Sequence, residues 1–338
     1  MAEGAPCVWV LSDGRPGHYN QSLGILRALG RIRPLTVERV ELRLRAGLLR
    51  VLLRALLNAG AAPSPAWLRL CYRLRLPARQ PDLIVSAGGR TSFANAWLAR
   101  RYGVPNLFAG SLRGLAPHLF RLVLTLEPVP GADGNLVLEV PPTRVDPQDL
   151  ARRRVAGCGP DTPCWAVLVG GAGAGYRYDS GDWQALARVL TEQAERRGVR
   201  WLIATSPRTG RAAQRLLRDM LPETLLAAAS WHGQGGEDDV PDFLAAAERV
   251  LVTEDSMTML AEAVSACKPV YALRPAHARP DARYRAVLAR WQDRGLVARL
   301  RIDDLPDHPE HLDQADCRPL ARPPVEALAD ALRVRLGW

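Results

Sequence analysis

Short apolar runs alternate with helical patterns along the whole chain. The first five apolar runs are rich in β-formers and predict strands at 7–11, 37–42, 82–87, 122–126 and 136–140. Between them, apolar residues recur with helical spacing at about 20–29, 46–58 and 91–101. Parallel strands need crossover helices, so this alternation predicts a doubly wound parallel sheet.

The same alternation restarts in the second half. Strands are predicted at 165–169, 200–205, 225–230, 249–253 and 269–273, and helices near 182–196, 209–219, 241–247, 257–266 and 279–293. The stretch 146–163 is rich in Pro, Gly and Arg, as exposed linkers are. We therefore predict an α/β fold of two Rossmann-like domains, 1–145 and 164–338, with parallel sheets, helices on both faces and a functional cleft between them. A last helix at about 324–336 either closes the second domain or crosses back onto the first.

Length and composition fit two globular domains. The 338 residues exceed what one core usually supports, and 48% apolar with 24% charged residues is ordinary. The longest apolar stretch, 46–62, is broken by Arg50 and Arg54, short of the about 18 apolar residues of a membrane span. The first residues lack signal-peptide features, and only Cys158 and Cys164 of the six cysteines are close, without zinc-site spacing. We expect reduced cysteines, no metal and a cytoplasmic location.

The net charge of +10 belongs to the first half of the chain. Residues 1–157 hold 22 Arg against 10 acidic residues, and 31–79 alone holds eleven Arg against Glu38 and Glu41. This basic segment overlaps an amphipathic helix predicted from about 42 to 58, with Arg43, Arg50 and Arg54 on one face. The opposite face would carry Leu48, Leu49, Leu52, Leu53, Leu56 and Leu57. Such a helix either packs on its own core or lies on an anionic membrane surface, and both interpretations stay open.

Arginine use alone does not indicate nucleic acid. Lys268 is the only lysine, so the basic excess reflects a compositional preference for Arg. No zinc-finger spacing, basic zipper or aromatic ribonucleoprotein motif accompanies it. We expect no nucleic-acid partner.

The first strand runs into a turn with unusual chemistry, Ser-Asp-Gly-Arg-Pro-Gly-His-Tyr-Asn-Gln from Ser12 to Gln21. Ligands of open α/β sheets bind beyond the carboxyl ends of strands. Glycines suit the turn and Asn20 suits a helix cap, but neither role needs Asp13 or His18. His18 is therefore the candidate general base, with Asp13 beside it. Acceptor-side positions are Gly14, Arg15, Gly17, Asn20 and Gln21.

Two loops of the second half suit a phosphate. The strand at 165–169 ends in a glycine-rich run beginning Gly170-Gly171, whose backbone can wrap a phosphate with Arg177 as the counter-charge. Its spacing matches neither a P-loop nor a dinucleotide fingerprint, so a flexible turn is the alternative. The next strand ends in Thr205-Ser206-Pro-Arg208-Thr209, where Arg208 suits an anion and Ser206 or Thr209 suits a helix cap.

A third loop gathers oxygen side chains at a predicted helix start. Helix N-termini attract phosphates, and the cluster consists of Glu254, Asp255, Ser256, Thr258 and Glu262. A simple N-cap at Asp255 or Ser256 is the structural alternative, but one cap needs only one such residue. Glu262, about two turns along, would reach ribose hydroxyls.

These motifs, in this order, resemble the mitochondrial-fission family, which includes the plant elongated-mitochondria protein and bacterial homologues. That family is similar in layout to GT-B glycosyltransferases such as the peptidoglycan lipid-intermediate transferase. The resemblance implies that His18 is the acceptor-side base and that Ser256, Met257, Thr258 and Glu262 hold the donor. Family members often carry a longer polar sequence after the Gly-Gly pair, where this chain has only Ala172-Gly-Ala-Gly-Tyr176.

The leading hypothesis is an inverting, metal-independent transferase that moves a sugar from a nucleotide diphosphate-sugar to a hydroxyl. The nucleotide-sugar is its substrate, no cofactor is expected, and the acceptor is a lipid held at the basic helix. One alternative is a non-catalytic membrane-surface adaptor, peripheral on the inner face of the membrane. Another is a nucleotide-sugar epimerase using His18 with Glu254 and Asp255 as acid and base.

Overall fold

The computed structural model describes residues 4–61, 64–159, 161–234 and 239–338. These residues fall into two units, one ending at Arg144 and completed by Pro324–Trp338, the other Val145–Pro323. Ala62 and Pro63 of the basic segment and Pro160 of the predicted linker lie outside the described residues.

The first unit is built on a seven-stranded sheet of order β3-β2-β1-β4-β5-β6-β7, parallel except for the β2–β3 pair. Its strands are β1 (Cys7–Ser12), β2 (Thr36–Leu44), β3 (Tyr72–Leu74), β4 (Leu83–Ala87), β5 (Asn106–Ala109), β6 (Leu122–Thr125) and β7 (Asn135–Val137). Its helices in this part of the chain are α1 (Pro16–Gly30), α2 (Leu49–Asn58), α3 (Pro65–Cys71) and α4 (Ser92–Tyr102). All six residues of β1 are buried, as expected for a central strand covered on both faces.

The second unit repeats this design with a six-stranded sheet of order β11-β10-β8-β12-β13-β15, all parallel. Its strands are β8 (Cys164–Val169), β10 (Arg200–Thr205), β11 (Leu226–Ser230), β12 (Arg249–Thr253), β13 (Val270–Arg274) and β15 (Ala298–Arg301), with a separate antiparallel pair of β9 (Tyr176–Arg177) and β14 (His277–Ala278). Its helices are α5 (Pro147–Leu150), α6 (Ser180–Arg197), α7 (Gly210–Met220), α8 (Val240–Ala246), α9 (Met257–Ser265), α10 (Ala282–Asp293) and α11 (His311–Gln314).

The final helix, α12 (Pro324–Leu336), belongs to the first unit. Its apolar side chains join the core that β1, β4 and α1 form on one face of the first sheet, through Val325, Leu328, Ala329 and Leu332. Arg31, the residue that follows α1, also pairs with Glu326 at 2.8 Å. The sequence left two placements open for this helix, and in the structure it packs back onto the first unit.

The predicted α/β class with parallel sheets flanked by helices is confirmed, but one predicted helix is wrong at its start. The sequence placed a helix from about 42, whereas β2 continues to Leu44 and α2 begins at Leu49. The strand continues because Leu42 is buried and pairs with Leu74 of β3. Arg43 therefore lies on a strand and does not share a helix face with Arg50 and Arg54.

The leucines of this segment also divide differently from the prediction. Leu53 and Leu57 are buried, and Leu49 and Leu56 pack against the same core. Leu48 and Leu52, which were predicted on that face, are exposed. A helix turns by about 100° per residue, so positions 48 and 52 lie to one side of the core-facing row.

Two cysteines differ from the expected reduced state. Cys158 and Cys164 form a disulfide, with their Cα atoms 5.7 Å apart, inside the usual range for a disulfide. Cys7, Cys71, Cys267 and Cys317 are free thiols. The prediction failed because proximity in sequence was weighed only against zinc-site spacing. Separately, none of the helices in the described ranges has the length and apolarity to cross a membrane.

Candidate functional site

The switch point of the first sheet lies between β1 and β4. The chain leaves β1 for β2 on one side and later adds β4 on the other, so the loops after β1 and β4 diverge and leave a crevice at their carboxyl ends. These loops are 13–15 and 88–91. The predicted Asp13 and His18 belong to this place.

His18 and Asp13 form a close pair. Nδ1 of His18 lies 3.1 and 3.0 Å from the two Asp13 carboxylate oxygens. An ionised carboxylate can only accept, so Nδ1 carries the proton in this contact and Nε2 of the neutral ring keeps its lone pair. The Asp13 side chain is 3% exposed and that of His18 29% exposed. The arrangement fixes the ring while leaving part of it open to solvent, as a general base requires.

Helix α1 starts earlier than the sequence indicated. It begins at Pro16, so His18 lies in its first turn and Asn20 is inside the helix, which corrects the predicted Asn20 cap. Proline at the first helical position explains the early start. Gly14 has φ of +77°, which glycine tolerates, and the Asp13 carboxylate also accepts a hydrogen bond from the Arg15 amide. The remaining predicted acceptor-side positions, Gly17 and Gln21, occupy the first turns of α1 and are half-buried.

The prediction missed the glycine pair after β4. Gly88 has φ of +85°, and a Cβ there would lie 2.2 Å from Nδ1 of His18. At Gly89 a Cβ would lie 2.8 Å from Nε of Arg113, an exposed residue. The pair thus lets the imidazole and a guanidinium approach the same loop. A Gly-Gly directly after an apolar strand was the available signal, the same one that singled out Gly170-Gly171.

The second sheet has its switch point between β8 and β12, and the glycine loop follows β8 there. Its first two amides are already used, because Gly170 donates to the Thr253 hydroxyl at 2.6 Å and Gly171 to the Asp255 carboxylate at 3.1 Å. Within the described residues, no hydrogen bond takes the amide N–H groups of Ala172 and Ala174. These two donors are the part of the loop that remains available to an anion.

Protein atoms fill the space beside several of these glycines. A Cβ would lie 2.4 Å from the Asp255 carboxylate at Gly170, 2.1 Å from the Arg208 carbonyl at Gly171 and 2.5 Å from the Arg208 guanidinium at Gly173. The glycines are therefore needed for close packing between loops, and the loop is a fixed element of the unit. Arg208 lies over Gly173 and brings a cation to the loop, a role that the sequence analysis assigned to Arg177.

Asp255 is buried at the centre of this arrangement. Its carboxylate accepts from the Tyr178 hydroxyl at 3.1 Å and pairs with Arg208 at 2.8 Å. Burial raises the pKa of the Asp255 carboxyl, while Arg208 and the Gly171 amide act in the opposite direction. Asp255 thus ties the glycine loop to Arg208, a role that the sequence did not reveal.

Glu254 has equally specific partners. Its carboxylate accepts from the Tyr176 hydroxyl at 2.8 Å and pairs with Arg299 at 2.6 Å, and its side chain is fully buried. The Tyr284 hydroxyl donates to the Glu254 carbonyl at 2.7 Å. Burial is the main cause that raises the pKa of Tyr176, and the neighbouring Glu254 charge raises it further. These tyrosines and Arg299 were missed, because they lie far from Glu254 in sequence.

The loop after β10 is joined to the glycine loop by hydroxyl groups. Ser206 and Thr209 each donate to the Gly170 carbonyl at 2.6 Å. Helix α7 starts at Gly210, and Thr209 occupies its N-cap position without a capping side-chain hydrogen bond. The predicted Thr209 cap is therefore correct in position and wrong in its hydrogen bond, because the hydroxyl is engaged by the preceding loop. Thr205 accepts from the His232 amide at 2.8 Å and so holds the next loop.

Helix α9 presents its N-terminus at the end of β12. Ser256 caps it by accepting from the Met259 amide, as the structural alternative predicted. The amides of Met257 and Thr258 belong to the first turn, where no intrahelical acceptor exists, and no acceptor in the described part of the chain takes them. Glu262 is 4% exposed on the same helix. The Ser256 cap therefore leaves the Met257 and Thr258 amides available to a ligand.

A cavity of about 760 Å³ lies beside the glycine loop and is lined by residues of β9 and β14. Its cationic and titratable lining consists of Arg177, His277 and Arg279. A larger cavity, about 910 Å³, lies in the first unit beside the residues that begin β5 and β6, at the amino ends of the parallel strands. The smaller cavity is lined by residues that follow β8 and β13, at the carboxyl ends of the strands, where ligands of such sheets bind.

One cluster has metal-type ligands. Donor atoms of His308, Glu310 and His311 all lie within 4.8 Å of one another, after β15. His308 pairs with Glu310 at 3.3 Å, and both side chains are about half exposed. None of these three residues belongs to the loops that follow β1, β4, β8, β10 and β12.

The sequence places the chain in a family. The profile of the mitochondrial fission ELM1 family matches residues 16–335, so the chain belongs to that family. No curated protein matches the sequence.

Solved structures share the fold over nearly the whole chain. The UDP-GlcNAc 2-epimerase of Methanocaldococcus jannaschii covers 98% of this chain and 100% of its own, with 12% identity and a TM-score of 0.56. The Neisseria meningitidis UDP-GlcNAc 2-epimerase, bound to UDP-GlcNAc, covers 98% and 99% with 13% identity and a TM-score of 0.51. CalG4, the calicheamicin glycosyltransferase, covers 98% and 94% with 15% identity and a TM-score of 0.50. The chain therefore has a GT-B-like fold.

Proposed function

We propose that this protein is a metal-independent transferase that uses a nucleotide diphosphate-sugar as donor and a hydroxyl as acceptor. The observation that carries the proposal is the loop set at the switch point of the second sheet. There the open amides of Ala172 and Ala174, the first turn of α9 and the Arg208 guanidinium all belong to adjoining loops. Such groups match the charge and geometry of a diphosphate.

The donor class is supported by the structural neighbours. Two of the solved proteins above are UDP-GlcNAc epimerases and one is a glycosyltransferase. In the proposal, a diphosphate competes with Asp255 for Arg208 and is held by the loop amides and the first turn of α9. Glu262 would receive the ribose hydroxyls. Because these donors are fixed before the ligand arrives, they stabilise the charge that develops on the leaving diphosphate.

The transfer step uses the pair in the first unit. The acceptor oxygen attacks the anomeric carbon, the bond from that carbon to the diphosphate breaks, and Nε2 of His18 takes the acceptor proton. Asp13 orients the ring and stabilises the imidazolium that forms, which is the role a carboxylate plays beside a catalytic histidine. The attack from the side opposite the leaving group inverts the anomeric centre.

Epimerisation is less well supported, for a structural reason. It needs an acid and a base at the sugar, and the sequence offered Glu254 and Asp255 besides His18. Both carboxylates are fully buried and engaged, Glu254 by Arg299 and Tyr176 and Asp255 by Arg208 and Tyr178. Groups held in this way support the loops and are poorly placed to exchange protons with a sugar.

Donor binding is tested first, by thermal-shift titration with nucleoside diphosphates and their sugars. A ligand selective for the native state raises the melting temperature, by an amount that grows with its concentration relative to Kd. We expect a selective shift that Glu262→Gln reduces and that Glu248→Gln, an exposed control in the same unit, leaves unchanged. If no nucleotide shifts the transition, the donor site is rejected.

Catalysis is tested by release of nucleoside diphosphate from the donor that binds. His18→Ala should lower the rate by about 10²-fold or more, the usual contribution of a general base, while leaving the donor-induced thermal shift intact. His118→Ala, an exposed histidine in the same unit, is the control and should behave as the wild type. Equal rates in the His18 variant and the wild type would exclude the proposed base. Product analysis by NMR separates transfer or hydrolysis from epimerisation.

A further inference from the structure

Helices α2 and α3 expose a group of large apolar side chains. The first row consists of Leu48, the N-cap residue of α2, with Val51 and Leu52 of the helix; this is the spacing of one helix face, and Leu48 is 85% exposed. The second row is Trp67 and Leu70, three residues apart on α3. We call these five residues the docking face. Single exposed apolar residues are common on proteins, but two rows on consecutive helices need an explanation.

Two hydrogen bonds from Arg45 hold the start of α2 close to the end of α3. The amide of Arg45 donates to the Cys71 carbonyl at 2.9 Å, and Nε of Arg45 donates to the Arg69 carbonyl at 3.2 Å. These bonds bring the segment entering α2 against the end of α3. Leu48 and Leu70 follow within a few residues of this junction, so the rows lie on neighbouring parts of one surface.

The surroundings of the docking face carry charge of one sign. From residue 42 to residue 81 there is no Asp or Glu, and eight arginines occur, all of them exposed: Arg43, Arg45, Arg50, Arg54, Arg69, Arg73, Arg75 and Arg79. No carboxylate in the described part of the chain pairs with any of the eight. Arg43 and Arg73 even stand directly opposite each other on β2 and β3. Like charges opposite one another destabilise a sheet, so the fold gains nothing from this pair.

We propose that the docking face is where the protein binds peripherally to an anionic lipid bilayer. Leucine, valine and tryptophan would enter the boundary between headgroups and acyl chains, while the arginines contact lipid phosphates. Arginine and tryptophan are both suited to that boundary, since each combines apolar area with polar donors. No helix needs to span the bilayer for this mode of binding.

Charge complementarity favours a lipid surface over a second copy of the chain. Two docking faces pressed together would bring two sets of unpaired arginines into contact, and Coulomb repulsion opposes that. A bilayer instead offers many negative charges and an apolar interior within a few ångströms. This proposal does not depend on the proposed transferase activity, so either can fail alone.

The test is flotation of the full chain with phosphatidylcholine vesicles, with and without phosphatidylglycerol. We expect binding only when phosphatidylglycerol is present. Each arginine near an anionic surface contributes a factor of roughly 5, so Arg43→Gln with Arg73→Gln should weaken binding about 30-fold. Leu48→Ser, Val51→Ser and Leu52→Ser together should weaken it at least about tenfold, because exposed apolar area no longer enters the bilayer. All five positions are exposed, so these variants should keep the wild-type melting temperature.

Controls remove the same chemistry elsewhere. Arg211→Gln with Arg215→Gln takes two exposed charges from α7, and Val334→Ser takes an exposed valine from α12. Both should bind vesicles as the wild type does. Absence of binding, or equal losses in the α7 and docking-face variants, would overturn the proposal. So would a wild-type dimer in analytical ultracentrifugation that the triple serine variant converts to monomer without any effect on vesicles.

Discussion

Glu254 and Asp255 are adjacent in sequence and serve two different ion pairs. Each carboxylate is fully buried, and each satisfies its charge with one arginine and one tyrosine: Arg299 and Tyr176 for Glu254, Arg208 and Tyr178 for Asp255. A buried carboxylate left without partners would be strongly destabilising, so the pairs are a condition of this loop conformation. The sequence indicated that acids at this helix start matter, but it assigned them to ligands.

The Asp255 pair predicts a pH dependence of stability. Burial raises the folded-state pKa of Asp255 above its unfolded value, so this group favours folding most below the unfolded pKa and loses that contribution as pH rises through the folded pKa. Asp255→Asn removes the titration. Its free energy of unfolding should therefore improve relative to the wild type as pH rises from below the ordinary aspartate pKa to neutrality.

Urea unfolding across that pH range measures the effect. The hydrogen bonds lost in Asp255→Asn change its free energy of unfolding by the same amount at every pH. The test is therefore how the difference in unfolding free energy between the variant and the wild type changes with pH. Asp219→Asn, at an exposed position, is the control and should stay parallel to the wild type. If Asp255→Asn is also parallel, burial does not raise this pKa.

At the scale of elements, long amphipathic helices and most buried strands were predictable, and several short strands were not. Helix α12 was predicted with its observed bounds, and β8, β10 and β12 within one residue, because their periodicity is strong. Strands β3, β5 and β15, with three or four residues each, were missed, whereas the equally short β6 and β7 were predicted because longer apolar runs surround them in the sequence. The error at α2 has another cause: β2 and the helix are both rich in Leu and Arg, so the boundary carries no signal.

The candidate site was predictable where a loop carries its own chemistry. His18 and Asp13 are five residues apart and meet in the structure, as the turn suggested. Partners that come from distant loops were out of reach, such as Arg299, 45 residues from Glu254. Which strand ends become neighbours is decided by the order of strands in the sheet, and sequence patterns do not give that order.

The junction of β4 and α1 gives a prediction about one glycine. Gly88→Ala places a Cβ within 2.2 Å of His18 Nδ1 and puts an alanine at φ of +85°. Left-handed backbone costs about 1–2 kcal/mol for alanine, and displacing the imidazole adds to it, for a total loss of about 2–4 kcal/mol in unfolding free energy. The His18 ring should also leave Asp13, which the NMR chemical shifts of the imidazole at a fixed pH would register.

Gly103→Ala separates the two contributions. Gly103 ends α4 with φ of +65°, and a Cβ there meets nothing within 4 Å. Gly103→Ala should therefore lose only the backbone part, about 1–2 kcal/mol, and leave the NMR signals of the His18 imidazole unchanged. If Gly88→Ala and Gly103→Ala lose the same unfolding free energy, His18 moves aside at no energetic cost, and the close contact between Gly88 and His18 does not contribute to stability.

At the scale of the whole molecule, the first unit is assembled from both ends of the chain. Its core on one face of the sheet includes residues of β1 and α1 near the start of the chain. The same core includes residues of α12, such as Leu332, which lie beyond the whole second unit in the sequence. Sequence could not decide this placement, because the apolar face of a helix fits many complementary surfaces. Once the helix is in place, the unit depends on the last residues of the chain for a buried part of its core.

This dependence predicts that a substitution near the C-terminus weakens the N-terminal elements. Leu332 is fully buried, so Leu332→Ala should cost about 2–5 kcal/mol, whereas Val334→Ala, 80% exposed on the same helix, should stay within about 0.5 kcal/mol. Because proteins open in cooperative units, hydrogen exchange should accelerate in α1 and β4 and remain slow in α6 of the second unit. Mass spectrometry of peptic peptides reads both units in one experiment. Faster exchange confined to α12 itself would show that the helix merely rests on the unit, and faster exchange in α6 would show that the two units open together.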